Sequence, residues 1–543
     1  MRMLLRLNKY HLIFLAVLSG LILSAAWPAR GWAGLSFVAL VPLFLVDYFV
    51  SQNPKRFSRG AMVLYSYITF IVFNLLTTWW VINSTIVGAL LAFILNSFFM
   101  ALVYGLFHII RNQVFRNKFG YFSLVFFWIA YEYLHMHWNL SWSWLVIGNV
   151  FSTTHQWVQW YEYTGAFGGS AWVILVNVLW FFALIEYLEK KKFSIGFFKN
   201  TTAACLLILV PIFFSYYEYN HYQEKGEIAE VVIVQPNVDP YEEQYDLPPE
   251  ILVENLLELA AREVSHNTQL LVGPESALPR KKWEDKFDRY DVIDSIQEFV
   301  GHYPNLAMLI GASTYARAVE DEPLMTGARA FLDDSNSYYY AFNTALMFTS
   351  QGEIQTYHKS VLVPGVEQMP FPTLMKPLEK FAINLGGTTG SLGKSRTQHT
   401  LDNASQNINV ASVICYESIY GEFVGNFVRN KSNLLAIITN DAWWGNTPGY
   451  KQHFEYARLR AIEYRRDVVR SANTGKSAFF NQRGDASQTT NYMETMVIKQ
   501  DVHLNTEMTY YASMGDYIAN ISLFISSLLI LVFISVSLRG KRN

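Results

Sequence analysis

Eight apolar runs, near residues 10–27, 34–50, 61–84, 86–110, 121–138, 168–187, 201–217 and 518–538, constrain this chain more than any other feature. Each is about long enough to cross a bilayer as a helix, which takes roughly 20 apolar residues. The basic residues between them fall on one parity. Arg2, Arg6 and Lys9 precede the first run; Lys55, Arg56 and Arg59 follow the second; Arg111, Arg116 and Lys118 follow the fourth. Lys190, Lys191, Lys192 and Lys199 follow the sixth, and Arg539, Lys541 and Arg542 the eighth. Lysine and arginine accumulate in short cytoplasmic loops, so both termini are expected in the cytoplasm and the long segment between the seventh and eighth runs on the other side. The first run also has signal-peptide marks, a basic start and small residues at Ser24-Ala25-Ala26, but its length favours a retained helix. Composition agrees with a membrane protein: 52% hydrophobic and 16% charged residues are too apolar for an ordinary soluble chain. A net charge of -2 with scattered basic clusters gives nucleic acid no surface to bind.

This pattern divides the chain into a membrane domain of seven helices over 1–217, a globular α/β domain over 226–508 and an eighth transmembrane helix over 518–538. Within the fifth span, Glu132 is costly unless it has a polar partner inside the bundle. Asn139 to Phe167 is rich in tryptophan and tyrosine, which suits an aromatic belt at the membrane surface, or a lipid headgroup site. In the globular part, Val231–Gln235, Leu270–Pro274, Leu306–Gly311, Tyr340–Phe348, Val410–Ile414, Leu434–Thr439 and Val468–Ala472 have strand character, as do Lys476–Asn481 and Met496–Val502. Pro248–Val264 and Gln452–Arg466 read as helices. Alternating strands and helices, with some strands adjacent, imply a mixed sheet covered by helices.

With two cysteines, Cys205 and Cys415, neither a disulfide framework nor a paired-cysteine metal site is available. Cys415 ends the strand Val410–Ile414 and could be a small core residue or a nucleophile at a strand-to-helix turn, where a helix terminus would favour the thiolate. Other strand ends carry what a nucleophile needs. Glu275, just beyond Leu271-Val-Gly-Pro274, could take the thiol proton; Lys359, in Tyr357-His-Lys-Ser360, could stabilise a thiolate or an oxyanion; Glu367 follows in Val363-Pro-Gly-Val-Glu367. A thiol of pKa about 8.5 is mostly protonated at neutral pH, so a base or a cation must activate it. The Tyr416 backbone N–H is a second oxyanion donor in this reading.

Glu275, Lys359 and Cys415, within Gly-Pro-Glu-Ser, Tyr-His-Lys and Cys-Tyr-Glu, resemble the Glu-Lys-Cys triad of the nitrilase superfamily, which implies an αββα sandwich. Membrane spans before and after that domain, together with Val-Gln-Pro-Asn at 234–237, Asn440-Asp-Ala-Trp-Trp-Gly445, Gln452-His-Phe454 and Arg470-Ser-Ala-Asn-Thr-Gly475, resemble the apolipoprotein N-acyltransferase family. The resemblance covers nearly the whole chain. It implies a multi-pass protein of the bacterial cytoplasmic membrane with its catalytic domain on the periplasmic side and no cofactor or metal. The implied donor is a phospholipid, phosphatidylethanolamine; the implied acceptor is the N-terminal amine of diacylglyceryl-cysteine in a lipoprotein. By motif position Cys415 is then the nucleophile, Glu275 the base and Lys359 the oxyanion stabiliser, with Glu367 a further essential carboxylate. Tyr416 and Glu417 shape the pocket, and Asn343 is a further site candidate. Trp443 and Trp444 suit a lipid-facing wall or, equally, an aromatic core. Two other readings share these features: a membrane-tethered amidase acting on a small C–N substrate, and a membrane scaffold that does not catalyse.

Overall fold

The apolar runs form helices in the computed structural model, which describes residues 7–58, 60–115, 117–319, 322–333, 336–371 and 391–539. Of the basic clusters, Arg2, Arg6, Arg59, Arg116, Lys541 and Arg542 lie outside the described residues. The described parts of Met1–Ile82, Ile86–His221 and Met514–Asn543 make one compact unit, and those of Asn83–Thr85 and Tyr222–Ser513 the other.

The first unit contains the helices Lys9–Ala26, Val41–Gln52, Ala61–Thr78, Ile86–Ile110, Ser123–Met136, Tyr161–Lys190, Ile195–His221 and Tyr517–Arg539. Among the described residues, seven helices are long and apolar enough to cross a membrane, the second of them counted from Ala33. The span expected over 121–138 differs. It has 14 helical residues, Ser123–Met136, because the chain before it winds as a tighter 3-10 turn over Lys118–Phe122. Polar side chains tie helices together where lipid offers no partner: Asn96 Nδ2 donates to Asn74 Oδ1 at 2.7 Å and the Tyr131 hydroxyl to Asn96 Oδ1 at 2.9 Å. Glu132 finds the internal partners it requires, accepting from Trp128 Nε1 at 3.0 Å and the Ile147 N–H at 2.7 Å. The rings of 139–167 divide: Trp142, Trp157 and Trp160 are half-buried and Tyr163 is exposed, while Trp144 and Tyr161 are buried. The short 3-10 turns Ser143–Leu145 and Ile147–Trp157 fold this segment inward, burying Trp144 and Tyr161 and setting Trp144 4.8 Å from Trp80.

The second unit holds two sheets. The first runs Met496–Leu504, Glu227–Gln235, Thr268–Val272, Ala307–Arg317, Tyr338–Thr349, Arg329–Ala330, with Leu278–Trp283 and Ile354–His358 paired alongside. The second runs Ala486–Ser487, Ala478–Phe480, Val468–Ala472, Leu434–Thr439, Ile408–Ile414, Leu401–Asn403. Its three longest strands are parallel in register, Leu435 opposite Ala411 on one side and Val468 on the other. The uninterrupted apolar run Val231–Val234 has a simple cause, since both faces of its strand are buried. Val231 and Ile233 meet Val410, Val413, Leu435 and Ile437 between the sheets, while Val232 and Val234 meet Val253, Leu256, Val292 and Ile296 of the helices Pro249–Ala260 and Asp291–Gly301. The helices Gly421–Arg429 and Pro448–Tyr464 supply Val424, Phe427, Phe454 and Ala457 to the core of the second sheet. The layers are helix, sheet, sheet, helix, a mixed αββα sandwich.

Candidate active site

The chain leaves the strands Thr268–Val272, Ile354–His358, Ile408–Ile414 and Leu434–Thr439 toward one place, where Glu275, Lys359, Cys415 and Asn440 follow. After Thr268–Val272 the chain is pinned by Gly273 N–H to Leu309 O at 2.8 Å and by Gly311 N–H to Pro274 O at 3.0 Å. Glycine is required at 311 because a Cβ there would stand 2.5 Å from Glu275 Cα. Glu275 is thereby held in the interior, its Oε1 accepting from Asn343 Nδ2 at 2.7 Å and Lys359 Nζ at 3.3 Å, its Oε2 from the Asn440 N–H at 2.9 Å. Glu367 completes the pair: Oε1 accepts from Lys359 Nζ at 2.8 Å and Asn343 Nδ2 at 3.1 Å, and Oε2 from the Val363 N–H at 2.9 Å. Asn343 thus has a definite place, bridging both carboxylates from the strand Tyr338–Thr349, while its carbonyl receives the Lys359 N–H at 2.8 Å.

Lys359 is 1% exposed. Burial alone would lower its pKa, but Glu367 and then Glu275 outweigh burial and hold it above the ordinary lysine range, a permanent ammonium. Cys415 is coupled to the same charges. Burial pushes its thiol well up, Glu275 and more weakly Asp441 push it further, and Lys359 pulls against them. The expected thiolate at a helix terminus is not what the fold provides. Cys415 opens a five-residue 3-10 turn, Cys415–Ile419, in a left-handed backbone conformation (φ 51°), and the helix Gly421–Arg429 starts only after it. Such a thiol stays protonated at rest and needs a base beside it.

The remaining candidates divide. Tyr416 is buried, its ring edge-on to Tyr420 at 5.3 Å. Glu417 has no exposure and ties two loops together: Oε1 accepts from the Tyr357 hydroxyl at 3.0 Å, Ser360 N–H at 2.6 Å and Val361 N–H at 3.1 Å, and Oε2 from Ile414 N–H at 2.9 Å. It acts as a brace between the lysine loop and the cysteine turn rather than as a wall of the pocket. Trp443 and Trp444 are half-buried on the turn Asp441–Trp444, the first edge-on to Tyr241 at 5.2 Å and the second to His453 at 5.6 Å.

Burial pushes the Glu417 carboxyl up to about 7, against the hydrogen bonds that favour its ionised form. The folded state therefore keeps its proton after the unfolded chain has released it near pH 4.5. Its contribution to stability is full below that value and is lost as pH rises through 7, by roughly 3 kcal/mol in all. Glu417→Gln is expected to lower the melting temperature, because the amide cannot accept from Ile414, and to flatten the fall between pH 5 and 7 relative to the unsubstituted chain. Thermal unfolding across that range checks both.

Tyr245 also belongs here. Its hydroxyl is pushed up to about 12 by burial and by the charges of Glu275 and Glu367. Nothing in Glu242-Glu-Gln-Tyr245 marks it, because its place depends on a loop folding back over residues that lie far away in sequence.

Two family models meet this chain. The apolipoprotein N-acyltransferase N-terminal domain matches residues 19–179, and the carbon-nitrogen hydrolase model matches residues 230–510, more than half of the chain. The chain belongs to the carbon-nitrogen hydrolase family, in its apolipoprotein N-acyltransferase branch. An apolipoprotein N-acyltransferase from Chlorobaculum tepidum is 29% identical over 531 residues, 96% of each chain. Another, from Geobacter metallireducens, is 25% identical over 517 residues, 93% of this chain and 92% of its own. Among solved structures, a mutant amidase of the nitrilase superfamily from Nesterenkonia AN1 aligns with TM-score 0.37 and 14% identity, covering 55% of this chain and 97% of its own. As a member of this branch the chain is a multi-pass membrane enzyme, an N-acyltransferase of the nitrilase superfamily. A tethered amidase would leave the match over 19–179 without a reason.

Proposed function

We propose that this chain moves a fatty acyl group from phosphatidylethanolamine to Cys415 and from there to the N-terminal amine of a diacylglyceryl-cysteine, completing the maturation of a lipoprotein. The observation that carries the reading is Lys359 clamped between Glu275 and Glu367 with Cys415 in the same field, in a chain of this family. Glu275 takes the thiol proton as Sγ attacks the ester carbonyl; the C–S bond forms as the ester C–O bond breaks, and the proton passes to the leaving lysophospholipid oxygen. The Lys359 ammonium faces the negative charge that develops on the carbonyl oxygen, a contribution of about 3 kcal/mol per donor in acyl transfer. In the second half the amine attacks the thioester carbon, Glu275 takes a proton from the nitrogen, and the C–S bond breaks as Glu275 passes that proton to Sγ, which restores the thiol and the free carboxylate. The parity of the basic loops supports a catalytic domain on the periplasmic side of the bacterial inner membrane in this reading.

Mass spectrometry of the purified protein incubated with phosphatidylethanolamine tests the scheme. One acyl chain on Cys415, released by hydroxylamine, is expected. Transfer to a lipopeptide without any such adduct sinks the thioester route.

A further inference from the structure

Behind Cys415 lies a buried chain of charged and polar groups that the acyl-transfer scheme leaves unused. Arg470, inside the apolar strand Val468–Ala472, donates from Nη2 to Asp441 Oδ2 at 2.7 Å. Asp441 Oδ1 accepts from the Thr439 hydroxyl at 2.9 Å and lies 3.0 Å from His453 Nδ1, a nitrogen that Arg470 Nη2 also approaches to 3.1 Å. On the far side of the imidazole, Nε2 lies 2.9 Å from Ser418 Oγ and 3.2 Å from the Cys415 carbonyl oxygen, and the Ser418 hydroxyl itself donates to that carbonyl at 2.8 Å. Asp441, His453, Arg470 and Ser418 are all buried. A Cβ on Gly475 would come within 2.5 Å of Asp441 Oδ2, so the turn after Arg470 closes directly onto the carboxylate.

The reach of this chain is the backbone of Cys415. A left-handed φ of 51° in a residue with a side chain costs on the order of 1 kcal/mol or more, and it persists only where the surroundings over-determine it. Here the carbonyl of the strained residue is gripped from two sides, by Ser418 and by His453. Burial would raise the Asp441 carboxyl, but Arg470 and His453 outweigh it and hold it well below the ordinary range, so the Nδ1 edge of the ring is held against the Asp441–Arg470 pair. The orientation of the imidazole is thereby set from behind; because the Cys415 carbonyl oxygen only accepts and already takes the Ser418 hydroxyl hydrogen, Nε2 meets the nucleophile's turn as an N–H donor.

We infer that His453 is a positioning residue for Cys415: anchored at Nδ1 by the Asp441–Arg470 pair, it holds through Nε2 the carbonyl whose left-handed turn aims the thiol into the site. This rests on Cys415 being the acylated residue. The rival is an ion pair that only holds the core together, in which case the two ends of the ring matter alike.

Two substitutions separate the ends. His453→Asn keeps a donor near Nδ1 and loses the reach to Cys415; His453→Gln keeps a group near Nε2 and loses the bond to Asp441. The full-length protein in phospholipid nanodiscs is followed by the rate of Cys415 acylation and by melting temperature. His453→Gln is expected to stay within about tenfold of the unsubstituted rate and His453→Asn to fall about 100-fold, with KM for phospholipid within about threefold in both, the size expected for misplacing a reacting atom by about 1 Å. Equal losses, losses confined to KM, or rates that follow melting temperature overturn the inference. Ser418→Ala, which removes one grip on the carbonyl and leaves the ion pair whole, is expected to slow acylation about tenfold; an unchanged rate overturns it as well. If the unsubstituted chain transfers acyl groups with no adduct on Cys415, it is the proposed function that fails, and this inference with it.

Discussion

Cys415→Ala is expected to stay folded, to accumulate no acyl adduct and to lose transfer by more than about 10⁴-fold, the scale on which removal of a nucleophile acts in acyl-transfer enzymes. The side chain is small and close to the surface of the core, at 8% exposure, and Ser418 and His453 hold the backbone carbonyl, which truncation leaves in place, so the turn survives. Cys415→Ser is the more telling variant. Every influence that raises the thiol, burial first and Glu275 second, raises a hydroxyl too, and the hydroxyl starts far higher. Glu275 cannot deprotonate it at a useful rate, so serine is expected to be nearly as inactive as alanine. Intact-mass analysis after incubation with phosphatidylethanolamine, alongside a lipopeptide transfer assay, reads both variants. Transfer by Cys415→Ala near the unsubstituted rate would refute the mechanism.

What the sequence disclosed is what depends on local pattern. The strand runs around Val231, Leu270, Val410, Leu434 and Val468 are apolar and β-branched because both faces of those strands are buried, and their ends deliver Glu275 and Cys415. The strand Leu278–Trp283 escaped because Pro279, Arg280, Lys281 and Lys282 read as a loop; among the described residues it pairs only with Ala307–Arg317. The short fifth helix was hidden for the opposite reason, since hydropathy continues through a 3-10 turn that the pattern cannot distinguish. Glu417 stands two residues after the cysteine and looks like part of the pocket. Its real partners, Tyr357, Ser360 and Val361, come from a loop that only the fold brings near. The Asp441–His453–Arg470 chain was invisible for the same reason, although an arginine in the middle of an apolar strand and an aspartate just after another already required a buried partner.

Removing the lysine should injure both stability and chemistry. Lys359→Met leaves Glu275 and Glu367 facing each other in a buried site with Asn343 as the shared donor between them. Breaking a buried ion pair by deleting one partner costs about 3–5 kcal/mol, so the second unit is expected to melt many degrees lower. The two carboxylates cannot both stay ionised; one takes up a proton, and if that is Glu275 the base is lost together with the oxyanion donor. Acylation of Cys415 is then expected to fall by more than about 10³-fold, of which the donor alone accounts for about 10²-fold. A second substitution divides these effects. Lys359→Met with Glu367→Gln restores charge balance by removing the carboxylate nearest to the lysine, 2.8 Å away, while Glu275 keeps its bond from the Asn440 N–H. The double variant is expected to recover most of the melting temperature and little of the acylation rate. Recovery of the rate along with the stability would make Lys359 no more than a counter-ion for the two carboxylates, and its role in stabilising the oxyanion would have to be given up.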